Sequence, residues 1–121
     1  MKRTRSGVDP LIWPLFGAGF FVVALIYPGW TAVVGICDVM GWLPADALSF
    51  ERVHGWVARP VGVSAAVGTV ILSSWNGAFH LRHTVMDLCG SASDRIAAPL
   101  LYGAASLGSA LAVLAGARLC L

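Results

Sequence analysis

The sequence predicts an all-α membrane protein with three transmembrane helices, and two observations lead there. First, hydrophobic residues make up 58% of the 121-residue chain and charged residues 12%, with a mean hydropathy of +0.79. An ordinary soluble domain carries about 25% charge, and a soluble chain this small would leave much of its apolar surface against water. A bilayer removes that difficulty. Second, Asp, Glu, Lys, Arg and His are absent between Asp9 and Asp38, from Pro60 to Phe79, and from Ile96 to Ala117, gaps of 28, 20 and 22 residues. At about 1.5 Å of rise per residue, about 20 residues cross a hydrocarbon core of roughly 30 Å. Each gap can therefore span, and the chain reads as a single membrane-anchor domain, 1–121, with helices at about 11–37, 60–80 and 96–118.

The first span contains Pro14 and Pro28. Pro14 fits a first helical turn, where its missing N–H costs nothing. Pro28, followed by Gly29, should kink or end the helix and leave Trp30 at an interface. The second span is the least hydrophobic; Ser64, Thr69, Ser73, Ser74 and Asn76 suggest that it faces protein more than lipid. The third places Ala104, Gly108, Ala112 and Gly116 at every fourth position, a small-residue stripe that lets another helix approach closely. Between the first two spans, residues 38–59 contain Pro44, Asp46 and Ser49 and suit a short amphipathic helix on the membrane surface, capped by Ser49 and anchored by Trp42 and Trp56.

Short-loop Lys and Arg residues set the orientation. Lys2, Arg3, Arg5, Arg82 and Arg95 fall on one side, and Arg52, Arg59 and Arg118 on the other, five against three. The N-terminus is therefore expected in the cytoplasm and the C-terminus outside. The basic start imitates a signal peptide, but the apolar run behind it exceeds the usual 7–15 residues. The net charge of +2 is small and scattered, which speaks against nucleic acid. Cys37, Cys89 and Cys120 form neither a CxxC pair nor a zinc-type spacing. They read as small apolar residues near helix ends, with a Cys37–Cys120 disulfide as the alternative.

Chemistry concentrates at the end of the second span, Trp75 to Leu88. In a continuing helix Asn76, His80, His83 and Asp87 recur at i, i+4, i+7 and i+11 and share a face, while Arg82 lies about 160° round from His80, in line with Trp75, Phe79 and Met86. Ionisable groups at membrane depth tend to line cavities or relays, and histidine can accept a proton near neutral pH. The alternative is a water-facing helix end that touches lipid headgroups. On the same side of the membrane the first span begins with Trp13 and Phe16, followed by Gly17 and Gly19. These aromatics read either as interface anchors or as a wall where glycine leaves room for a flat ring. Two such helix ends at one depth would suit a quinone, a planar apolar body with two oxygens. The chain shows no phosphate loop, no nucleophile beside a base and no cysteine framework for an iron–sulfur cluster. His54, His80 or His83 could ligate haem in principle, but no pattern singles one out.

Two longer motifs carry a resemblance. Asp9 to Gly19, DPLIWPLFGAG, and Leu43 to Val53, LPADALSFERV, resemble the opening of the first helix and the following loop in the fumarate reductase D-subunit family. Trp75 to Leu88 resembles that family's histidine-rich end of the second helix, and Tyr102–Gly103 the start of its third. The likeness covers most of the chain, from Asp9 to about Gly116. It implies a four-subunit complex in the bacterial inner membrane. A flavoprotein subunit with FAD reduces fumarate, and an iron–sulfur subunit feeds it electrons. This chain and a second membrane anchor, the C subunit, hold both at the membrane and form the menaquinol site. No haem is expected, and FAD and the iron–sulfur clusters belong to partner subunits.

By the same resemblance the quinol site on this chain uses Trp13, Phe16, Gly17, His80, Arg82 and His83. The histidine group departs from the family's His-Arg-x-His-His. An ungapped register on Trp75, Gly77, Asp87 and Leu88 puts Phe79 and His80 at the His-Arg positions and Arg82 and His83 at the His-His positions. A shift by one restores His80 as the first histidine and breaks the later matches, so only His83 meets a family histidine in both. The expectation is a non-catalytic anchor that contributes to the menaquinol site. Its rivals are a haem-containing succinate dehydrogenase anchor, a purely structural anchor without a working quinone site and, more remotely, a small transporter.

Overall fold

A computed structural model describes residues 9–120; Lys2, Arg3 and Arg5, and with them part of the orientation argument, lie outside the described residues. No strand occurs among the described residues. Helix α1 runs over 9–37, α2 is Phe50–Val57, α3 is Pro60–Cys89 and α4 is Asp94–Cys120. Three stretches, Trp13–Cys37, Pro60–Cys89 and Ser91–Cys120, are long and apolar enough to cross a membrane. Large apolar side chains are exposed along all three, and none among the described residues is fully buried. That is how a chain looks when lipid covers its outer surface.

Helix α1 reaches Cys37, the expected end of the first span, and departs from expectation in detail. It is already helical at Asp9, so Pro14 lies beyond the first turn. It does not end at Pro28. The chain passes from α-helix (Asp9–Phe21) through a π turn (Val22–Ile26) into a further α-helical turn (Tyr27–Ala32) and a second π turn (Val33–Cys37). The wider π turn lies where the Pro28 ring would otherwise meet a carbonyl of the preceding turn. Trp30, expected at an interface, stands within the helix.

Helix α2 forms as its sequence suggests. Ser49 caps it, its side chain accepting from the Arg52 backbone N–H at 3.4 Å, and Glu51 lies in its first turn. Arg52 pairs with Asp46, and the Arg59 guanidinium lies 5.4 Å from the Trp56 ring centroid. Trp42 and Trp56 are exposed.

Helix α3 is the central element, packed against α1 on one side and α4 on the other. Its hydroxyl residues do not bridge helices: Ser64, Thr69, Ser73 and Ser74 each donate to the carbonyl four residues earlier, at 2.6–2.8 Å. They satisfy themselves within the helix, as lipid requires. The helix continues beyond the uncharged span, through the Trp75–Leu88 segment, and ends at Cys89, followed by Gly90 at φ 84°, a left-handed-side conformation suited to glycine. The three cysteines close their helical segments at 37, 89 and 120 and are free thiols.

Close approaches fall at small residues. A Cβ built on Gly19 of α1 would lie 2.7 Å from Asn76 Cβ and nearer still to the Leu72 carbonyl oxygen of α3. Gly116 of α4 packs on Val63 and Val67 of α3. The small-residue stripe therefore serves the α3–α4 seam at Ala112 and Gly116 and is near Ser74 at Gly108, but Ala104 is exposed and Ala105 is buried in its place.

Candidate functional site

The first turns of α1, the last turns of α3 and the start of α4 gather at one end of the bundle. Between α1 and α3 lies a set of rings. Phe16 and Phe79 stand 4.2 Å apart between centroids, Phe79 and His83 4.3 Å, and both pairs are tilted. Phe79 is thus held between an α1 ring and an imidazole of its own helix. Trp13 meets the edge of Phe16 at 6.4 Å, and His80 meets it edge-on at 5.2 Å. These offset and edge-to-face arrangements suit the positive rims and negative faces of aromatic rings.

Local sequence explains the grouping. Trp13 and Gly17 are four apart in α1 and share a line, with Phe16 beside them. A Cβ on Gly17 would meet nothing within 4 Å, so open space lies beside the backbone there. The four-residue spacing of Phe79 and His83 stacks one on the other along α3. His83 Nδ1 is 2.9 Å from the Phe79 carbonyl oxygen. A carbonyl can only accept, so Nδ1 donates in this contact, which leaves Nε2 as the ring nitrogen outside it. Both His80 and His83 are exposed in the chain. Asn76, on the same face, is buried, and among the described residues its Oδ1 has no donor.

Gly17 faces open space, about 160° round α1 from the Gly19 that packs on α3. Of the other five expected site residues, Trp13, Phe16, His80 and His83 come together at the α1–α3 face. Arg82 does not. It projects to the other side of α3 and grips α4: Nε donates to Asp94 Oδ1 at 2.6 Å, Nη2 to Asp94 Oδ2 at 2.8 Å, and Nη1 to the Tyr102 hydroxyl at 3.0 Å. This two-pronged carboxylate contact is the strong, directional form of an arginine ion pair. Tyr102 also stacks on Trp75 at 5.8 Å, and Trp75 Nε1 donates to Ser109 at 3.2 Å.

Sequence reasoning missed Phe79 as the centre of the ring set, having aligned it with Arg82. The helical wheel held the signal, since Phe79 lies about 40° from His83 and about 60° from Arg82.

The fold and this face define a polytopic helical membrane protein with an aromatic–imidazole surface at one end of its bundle. The family model described as the D subunit of fumarate reductase matches residues 2–116. Named relatives agree. The fumarate reductase D subunit of Photobacterium profundum is 36% identical over 106 residues, covering 88% of each chain. That of Vibrio cholerae is 36% identical over 107 residues, 87% of this chain and 80% of the relative. That of Mycobacterium bovis is 34% identical over 113 residues, 92% and 88%. The chain belongs to the fumarate reductase D-subunit family, and its three spanning helices are those of a membrane anchor.

Proposed function

We propose that this chain attaches a fumarate reductase flavoprotein and iron–sulfur subunit to the bacterial inner membrane, together with a second membrane anchor, the C subunit. In the same complex it contributes one wall of the site where menaquinol is oxidised. The observation that carries this reading is the Phe16–Phe79–His83 stack with Trp13 and His80 at its edges. It supplies apolar faces for a planar ring and, within the same surface, imidazoles able to receive protons.

Oxidation of a quinol releases two electrons and two protons. The electrons pass to the iron–sulfur subunit. The quinol body packs along Trp13 and Phe16, with Gly17 leaving room for it, and the protons leave its oxygens for His83 Nε2 and the His80 ring. From there they reach the cytoplasmic side, where the N-terminal end of the bundle is placed in this reading. The chain itself binds and accepts protons, and redox chemistry belongs to its partners.

In the assembled complex, His83→Ala should slow quinol oxidation by about 10²-fold, the low end of general-base contributions. Fumarate reduction from an artificial electron donor should stay intact. If quinol oxidation is also unchanged, the site is elsewhere. One observation favours a structural role at a single position: Arg82 is already engaged with Asp94 and Tyr102. A haem absorption band in the purified complex would replace this reading with that of a haem-bearing anchor.

A further inference from the structure

We infer that Arg82, Asp94, Tyr102 and Trp75 form a clasp between α3 and α4 that sets the rotation of α3 about its axis and so aims His80 and His83 at α1. In lipid there is no hydrophobic drive between helices, and packing plus directional polar contacts decide how they seat. Toward the other end, the α3–α4 seam includes Val63, Val67, Ala112 and Gly116, whose contacts are apolar and lack the directionality of a hydrogen bond. The clasp is different. Arg82 meets both carboxylate oxygens of Asp94 through its planar fork, at 2.6 and 2.8 Å, and reaches Tyr102 with its third nitrogen. A fork fixes direction as well as distance.

A second tie lies on the same face of α3. Trp75 precedes Arg82 by seven residues, two helical turns. Its ring stacks on Tyr102, and its Nε1 donates to Ser109. Tyr102 thus joins the two ties, its hydroxyl to Arg82 and its ring to Trp75. Two anchor points about 10 Å apart along one face hold the helix against rolling. Because Arg82 stands about 160° from His80, holding one side of α3 against α4 turns the other toward α1. These four are positioning residues that touch no substrate. Their importance for quinol oxidation rests on the preceding reading, whereas their hold on α3 does not.

The test uses the membrane-assembled complex. Phe16→Cys and His80→Cys, with the native Cys37, Cys89 and Cys120 replaced by Ser, are joined by a short bis-maleimide, and the linked peptide is followed by mass spectrometry. Adding Asp94→Asn should slow linking several-fold, and the reversed pair Arg82→Glu with Asp94→Arg should restore it. An unchanged linking rate in Asp94→Asn overturns the clasp. If Asp94→Asn fails to assemble, Tyr102→Phe serves: it keeps the ring on Trp75, removes only the hydroxyl, and should slow linking to a smaller degree, no change again overturning the idea. In the complex with its native Phe16 and His80, Asp94→Asn should lower kcat/KM for quinol about tenfold and leave artificial-donor fumarate reduction intact. Slowed linking with unaltered quinol oxidation would confirm the clasp and remove the imidazole face from the quinol site.

Discussion

Two glycines two residues apart in α1 should respond oppositely to the same added methyl. At Gly19 a Cβ would stand 2.7 Å from Asn76 Cβ and nearer still to the Leu72 carbonyl oxygen. Comfortable carbon–carbon contact is about 3.5–4.0 Å, so α1 and α3 must part by about 1 Å. Neither obstacle can swing aside, since one is backbone and the other a Cβ. Overpacking of this kind costs about 1–3 kcal/mol, against which alanine's better helix propensity returns at most about 1 kcal/mol. At Gly17 nothing lies within 4 Å, and only the propensity gain applies. The propensity gain is common to both, so Gly19→Ala should be less stable than Gly17→Ala by the overpacking cost, about 1–3 kcal/mol. Thermal unfolding of the detergent-solubilised complex, with both variants run side by side, measures the difference. The parted helices should also loosen the Phe16–Phe79 stack and slow quinol oxidation. Gly17→Ala should keep its stability yet hinder quinol by filling the space beside Trp13. Equal melting of the two variants would refute the close crossing, and unimpaired quinol oxidation in Gly17→Ala would remove Gly17 from the site.

Other substitutions probe the rest of the frame. Gly116→Ala would bring a Cβ to 2.6 Å from Val67 Cγ2 and 3.1 Å from Val63 Cγ1; a helical valine yields only by leaving its preferred rotamer, so about 1 kcal/mol should be lost on the same melting curve, less than at Gly19 where backbone is in the way. Trp75→Phe keeps a ring against Tyr102 but loses the bond to Ser109, and should cost about 1 kcal/mol. Ser49→Ala removes the cap of α2. It should destabilise that helix by about 0.5–2 kcal/mol, seen as faster amide exchange over Phe50–Val57 with unchanged melting of the spanning helices.

The three spans were legible because lipid tolerates few charges, and the uncharged gaps mark what it must cover. The same logic bounds the uncharged span near residue 80 and does not say where the helix itself stops. Arg82 closes no helix, since Asp94 and Tyr102 take up its donors and the backbone continues to Cys89. Those partners lie 12 and 20 residues further on, in another helix, and no local spacing announces them. The direction of Arg82 away from His80 was readable from helical geometry; what it meets was not. Pro28 left two outcomes open, a kink or an end. Proline removes one backbone bond, but a π turn can absorb the ring without ending the helix, and the sequence does not say which outcome prevails. The pairing of Phe16 with Phe79 depends on which turns of α1 and α3 sit level, and this is fixed by the approach at Gly19.

Helix α1 stays beside α3 only through its first half; from Tyr27 to Cys37 it comes near neither α3 nor α4. The molecule is thus shaped like a pair of tongs, pinned at the aromatic end and spread at the other. A small tilt of α1 about the Gly19 pivot displaces Cys37 far more than Phe16, leaving the ring stack nearly undisturbed. Any tilt of α1 is therefore expressed mainly at the splayed end, far from the surface proposed to meet quinol.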